Sequence, residues 1–69
     1  MTENVKPYLD SLESPRLSDN YSTHILREKL AEQKGALHKA VEADSYKSVL
    51  MAEGRIISLC KGINTLRQI

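Results

Sequence analysis

The feature that most constrains this chain is a seven-residue repeat of apolar side chains near its C-terminus. In "VLMAEGRIISLCKGINTL", residues 49–66, the apolar positions are separated by alternating steps of three and four. This spacing places them on one stripe of an α-helix, which we predict from Tyr46 to about Arg67. β-branched residues alternating with Leu or Ala are typical of a two-stranded coiled coil. The stripe consists of Val49, Ala52, Ile56, Leu59, Ile63 and Leu66.

The stripe is wider than a two-helix contact requires. Leu50, Ile57 and Cys60 extend it on one side, so we expect at least two surfaces to cover this helix. Gly54 and Ser58 are four residues apart on another strip, where small side chains permit close approach of a neighbouring backbone. The alternative is that Gly54 is neutral and that Gly62 frays or kinks the last turn, since such glycines are tolerated in a helix at a cost of about 1 kcal/mol.

A second amphipathic helix is predicted over residues 23–43, which are rich in Ala, Leu, Glu, Lys and Gln. Asp19 and Ser22 are candidate N-caps. Residues 42–48 contain neither Gly nor Pro, but Asp44 and Ser45 favour the start of a new helix. We therefore predict an all-α helical hairpin. The alternative is one continuous helix over residues 22–68, roughly 70 Å long.

Residues 1–20 form an N-terminal arm, distinct from a helical hairpin or coiled-coil domain over residues 21–69. Four apolar residues of the arm have the i, i+3, i+4, i+7 spacing of one helical face. We therefore predict a short helix that is capped by Asn4 and ended by Ser14-Pro15. A disordered tail is the alternative, since so short a helix is unstable alone. We expect the arm to be mobile in the free protein and to order on a neighbouring subunit or partner. Its apolar face consists of Val5, Tyr8, Leu9 and Leu12.

Sixty-nine residues without Phe or Trp provide a thin core, and oligomerisation is a common remedy for so small a chain. We therefore expect the stripe to be completed by a second copy or by a larger protein assembly. On this interpretation Ile56→Asp or Leu59→Asp dissociates the assembly.

The last third of the chain also resembles a known group of proteins. Glu53, Gly54, Arg55 and Ile56, followed by Leu59 and Leu66, resemble the C-terminal helix of small helical proteins encoded in tailed-bacteriophage gene clusters. Cys60 and Gly62 stand where such proteins continue with Leu. The resemblance implies a virion or head-assembly accessory protein without enzymatic activity.

The candidate chemical groups are few. His24 with Glu28, and His38 with Glu42, are spaced like metal ligands, but each pair supplies two ligands where structural zinc needs four. Cys60 has no nearby His or second Cys, so we predict a buried apolar role. We expect no catalytic residues, no metal and no cofactor.

Charge allows one alternative function. The net charge is +1, but residues 45–69 carry four basic side chains and one acidic. A small DNA-binding regulator using this basic helix is therefore the alternative to an assembly protein, although aromatic stacking platforms are absent. The start of the chain has no apolar signal segment, and no run is long enough to cross a membrane. We expect a soluble cytoplasmic protein.

Overall fold

The protein is a helical hairpin with a short third helix packed on one side. The structure, a computed structural model, describes residues 2–13 and 20–67. A 3-10 helix, Thr2–Asn4, leads into α1 (Lys6–Ser11), and the hairpin consists of α2 (Tyr21–Glu42) and α3 (Tyr46–Arg67). The predicted all-α hairpin is confirmed, and the single long helix is not adopted.

Helix α2 begins two residues earlier than predicted because its cap is Asn20. The Asn20 side chain accepts a hydrogen bond from the Thr23 backbone N–H at 3.0 Å. The Thr23 hydroxyl oxygen accepts one from the Asn20 N–H at 2.7 Å. This reciprocal capping box satisfies two backbone donors that the first helical turn leaves unpaired. Of the two caps predicted, Ser22 is within the helix, and Asp19 lies outside the described residues.

The reversal between α2 and α3 depends on Asp44, whose φ of 55° is left-handed. Its N–H donates to the Val41 carbonyl at 3.1 Å, and the Ser45 N–H donates to the Ala40 carbonyl at 3.0 Å. This is the Schellman arrangement that ends many helices, usually with glycine in the left-handed position. Asp tolerates that conformation better than most residues, which explains how the chain turns without a glycine.

The hairpin core lies along the seam between α2 and α3. Leu30, Leu37 and Ala40 project from α2 into the stripe of α3. At the open end of the hairpin, the Asn20 side chain donates to the Leu66 carbonyl at 3.4 Å. The two helices therefore remain in contact from the turn to their far ends.

Helix α1 covers a second side of α3. Val5 and Leu12 are buried in the common core, and Tyr8 and Leu9 are half-buried against it. On the same side of α3, the Asn4 side chain donates a hydrogen bond to Glu53 (Nδ2 to Oε2, 3.4 Å). One of the two covering surfaces expected for α3 is therefore the chain's own arm. The expectation that the arm's apolar face lies on a neighbour is wrong for this structure.

The end of α1 is held by two arginines. The carbonyl of Leu12 accepts hydrogen bonds from Arg67 (3.1 Å) in α3 and from Arg27 (3.3 Å) in α2. Carbonyls at a helix C-terminus carry partial negative charge, so guanidinium groups there are favourable. The predicted Asn4 cap is also corrected, because Val5 occupies the N-cap position and makes no side-chain capping bond.

Cys60 lies on the strip of α3 that α1 covers. It is one turn before Asn64, which donates to the Ser11 hydroxyl at 2.7 Å. The thiol is fully buried, as predicted. Burial raises its pKa, although the charges of Lys34 and Arg27 act in the opposite direction. Ionisation of Cys60 therefore opposes folding only as the pH rises above the ordinary thiol value of 9.0.

We expect Asp44→Gly to raise the free energy of unfolding by about 1 kcal/mol, because glycine adopts left-handed φ without steric cost. Thermal unfolding should show a midpoint about 4–8 °C higher for a domain of this size. Ala43→Gly is the matched control, since Ala43 has a helical φ of −80°; it should lower the midpoint. A lower midpoint for Asp44→Gly would show that the left-handed φ of Asp44 carries no steric cost that glycine relieves.

We expect Val5→Asp to release α1 from the hairpin, because an unpaired charge is costly in the core. Cys60 would then become accessible, and its reaction with a thiol reagent at neutral pH should accelerate on the order of tenfold. Lys6→Asp changes the adjacent, exposed residue and should leave the rate unchanged. Equal rates in both variants would show that α1 does not protect the thiol.

Candidate interaction surface

Most of the predicted interaction stripe is used within the chain itself. Val49, Ala52, Ile56 and Ile63 are buried in the hairpin core, and Leu59 and Leu66 are half-buried. Ile56 has no exposed surface. A charge there would unfold the monomer, so the predicted effect of Ile56→Asp on an assembly is not a usable test.

A groove remains open on the side of the α2–α3 seam that faces away from α1. We call this the open groove; it encloses about 720 Å³. It is lined by apolar or small residues of α3, here called the floor, and by polar or charged residues of both helices, here called the rim. The floor is formed by Leu50, Met51, Gly54, Ser58 and Leu59, and the rim by Lys29, Glu32, Gln33 and Arg55.

The open groove exists because α1 covers only one side of the seam. Two packed helices leave a groove on each side of their contact line. On the α1 side, Val5 and Leu9 lie beside Leu37 and Ile56. No described residue of the arm lines the opposite groove. This leaves Leu50 and Met51 about half exposed, at 49% and 51%.

The glycines differ in what surrounds them. A Cβ atom on Gly62 would lie 3.5 Å from Leu26, in ordinary van der Waals contact, whereas one on Gly54 would meet nothing within 4 Å. Gly54 and Ser58 therefore leave a shallow area in the floor that the described residues do not fill. The predicted place for close approach of another backbone is accessible from solvent.

The rim charges have no ion-pair partners among residues 2–13 and 20–67. Elsewhere, side-chain contacts join His24 to Glu28 and His38 to Glu42, at 3.2 and 3.0 Å, both on exposed surface. Lys29, Glu32 and Arg55 form no such pair with any residue described. The open groove thus combines an apolar floor with charges of both signs, and none of these charges forms an ion pair with a described residue.

The basic residues of α3 do not form one face. Arg67 is buried against Leu12, and Lys61 lies over the ring of Tyr8, 5.7 Å from its centroid. Arg55 is at the open groove. Three of the four basic residues in the range 45–69 therefore lie in three different surroundings, whereas nucleic-acid binding usually uses a clustered basic face.

The two His–Glu pairs lie on α2 more than three turns apart, and each is exposed. In the described part of the chain, no group of three or more His, Cys, Asp or Glu side chains is placed to hold a metal ion.

Leu50 and Met51 form the exposed apolar part of the groove floor. The apolar spacing of the sequence places Leu50 only at the edge of the stripe and predicts no role for Met51.

None of the described helices is both long enough and apolar enough to span a membrane. Comparisons with protein-family models, curated proteins and solved structures find no significant match to this chain.

We expect Gly54→Ala to raise the free energy of unfolding by about 1 kcal/mol, because alanine favours a helix and the new methyl group meets no neighbour. Gly35→Ala is a matched control, since Gly35 is also helical and open to solvent. Denaturant unfolding of dilute monomer should give similar gains for both. A loss at Gly54 alone would show that its surroundings are filled.

Proposed function

We propose that this chain is a non-enzymatic assembly protein that binds another protein helix in the open groove. The observation that carries the proposal is the exposed apolar floor at Leu50 and Met51, next to the unfilled surface at Gly54. Burying such side chains is favourable by about 1.5–3 kcal/mol each when burial is complete. A helix is the natural occupant, because small residues one turn apart permit close packing of helix backbones.

The resemblance of α3 to helices of small tailed-phage proteins suggests a setting for these contacts. We propose a virion or head-assembly complex in the cytoplasm of the host cell. The intramolecular use of Val49, Ile56 and Ile63 restricts the proposed contact to the open groove. DNA binding is the lesser proposal, because Arg67 and Lys61 are engaged within the chain.

The test is the size of the complex that contains this chain in the cells that produce it. We expect the wild-type chain to elute in native gel filtration well above its own mass of 7.8 kDa. Met51→Asp should return it to monomer, because docking would desolvate the new charge.

Val41→Asp is the matched control, because Val41 is similarly exposed (42%) but lies on the α1 side of α2. It should leave the complex intact. A wild-type chain that elutes only as monomer would refute the proposal. Loss of the complex on nuclease treatment would instead favour the DNA-binding alternative.

A further inference from the structure

The open groove continues towards the hairpin turn as a shallower trough. This trough encloses about 410 Å³ and shares Gln33, Met51 and Arg55 with the open groove. Its other lining residues are four alanines, two serines and Lys39. Small side chains let the backbone of a neighbouring helix approach closely, so the two depressions together form one surface suited to a helix. We call them the extended groove.

The charges around the extended groove are mostly positive. Lys29, Lys39 and Arg55 line it, and Glu32 is the only acidic residue that does so in the described part of the chain. All four residues are exposed, and none forms an ion pair with a residue in the described ranges. Three positive charges thus face one negative charge, although the whole chain has a net charge of only +1.

Glu32 offsets only one of the three cations. A Cβ atom on Gly62 of α3 would lie 3.5 Å from Leu26 of α2, which gives the register of the two antiparallel helices. Six residues further along α2, Glu32 is therefore close to the height of Arg55 on α3. It is also three residues from Lys29 on its own helix. Whichever of these two it offsets, the other remains without a counter-charge.

Lys39 is also left without a counter-charge. It lies seven residues beyond Glu32, towards the turn. Along the hairpin axis it is about 15 Å from Lys29 and about 9 Å from the height of Arg55, at 1.5 Å per residue. Negative groups that satisfy Lys39 and the second unbalanced cation are therefore separated by the same distances. Carboxylates two or three turns apart on one helix have this spacing.

We propose that the occupant of the extended groove is an acidic amphipathic helix of another protein. This inference rests on the proposed assembly function and adds the chemistry of the partner. One face of the partner helix is apolar and packs on Leu50 and Met51, which are about half exposed. Beside that face, the helix carries at least two carboxylates, two to three turns apart. One meets Lys39, and the other meets Lys29 or Arg55.

The same features disfavour other occupants. A second copy that packed groove against groove would bring together two surfaces with an excess of positive charge. A nucleic-acid backbone would match the cations, but its phosphates would gain nothing from the apolar floor and would be repelled by Glu32. An acidic amphipathic helix matches both the apolar and the charged parts of the extended groove.

The test uses the purified full chain and two synthetic helical peptides, with binding measured by fluorescence anisotropy at physiological ionic strength. Each peptide has about 18 residues, or five helical turns. Both have the same leucine face, but one carries glutamates beside it and the other carries lysines. We expect the acidic peptide to bind on the order of tenfold more tightly, because it forms ion pairs where the basic peptide meets like charges.

Reversing single charges of the extended groove should change the affinity for the acidic peptide in a defined direction. Lys39→Glu should weaken binding on the order of fivefold, and Glu32→Lys should strengthen it by a similar factor. Lys34→Glu is the matched control, because it makes the same change on the α1 side of α2. It should leave the affinity unchanged, since charges more than about 8 Å away are screened. Circular dichroism should show all three variants equally folded, because these side chains are exposed.

Equal affinity for the two peptides, or no binding of either, would overturn the acidic-helix proposal. A dimer of the purified chain that Met51→Asp dissociates would also overturn it and would identify a second copy as the occupant. Tighter binding to duplex DNA than to the acidic peptide, unaffected by Met51→Asp, would overturn it in favour of nucleic acid.

These failures differ from a failure of the proposed assembly function. A complex from the producing cells that Met51→Asp dissociates, together with peptides that do not bind, would overturn the acidic partner and leave the assembly function intact. A wild-type chain that is monomeric in those cells and binds neither peptide would overturn both proposals.

Discussion

Complete burial of Ile56 and Ile63 is the interaction on which the three-helix arrangement depends. Both belong to a stripe on α3 that is wider than one neighbouring helix covers. Helix α2 covers one part through Leu30 and Leu37, and α1 covers another through Val5 and Leu12. A chain without Phe or Trp thus obtains its core by enclosing one helix with two others, which makes the arm part of the fold.

Arm docking is directional because polar contacts accompany the apolar ones. The Leu12 carbonyl accepts from guanidinium groups of both hairpin helices, and Asn64 donates to Ser11. These bonds define where α1 ends on the hairpin, while Val5 defines where it begins. Their consequence for function is indirect. Because α1 closes one side of the seam, an external helix can pack only on the other side, in the open groove.

The helices were predictable because their signals are local. Periodic spacing located α2 and α3 within about two residues, since a helical face repeats regardless of what covers it. The turn was less certain, because Asp44 adopts a left-handed φ that glycine normally marks. The cap at Asn20 was missed in favour of its neighbours Asp19 and Ser22, which have equally suitable side chains. Such competition between adjacent polar residues is decided by small differences in geometry.

By itself, the sequence determined an all-α hairpin, a buried Cys60 and the need for more than one surface around α3, because these follow from the spacing and number of apolar residues. It did not determine which surface is internal. The stripe of Val49, Ile56 and Ile63 has the same pattern whether an arm, a second copy or another protein covers it. Only the tertiary structure decided that α1 folds back onto it and that Leu50, Met51 and Gly54 remain open. The physical reason is that pattern specifies which side chains avoid water, whereas chain connectivity and helix packing specify what excludes the water from them.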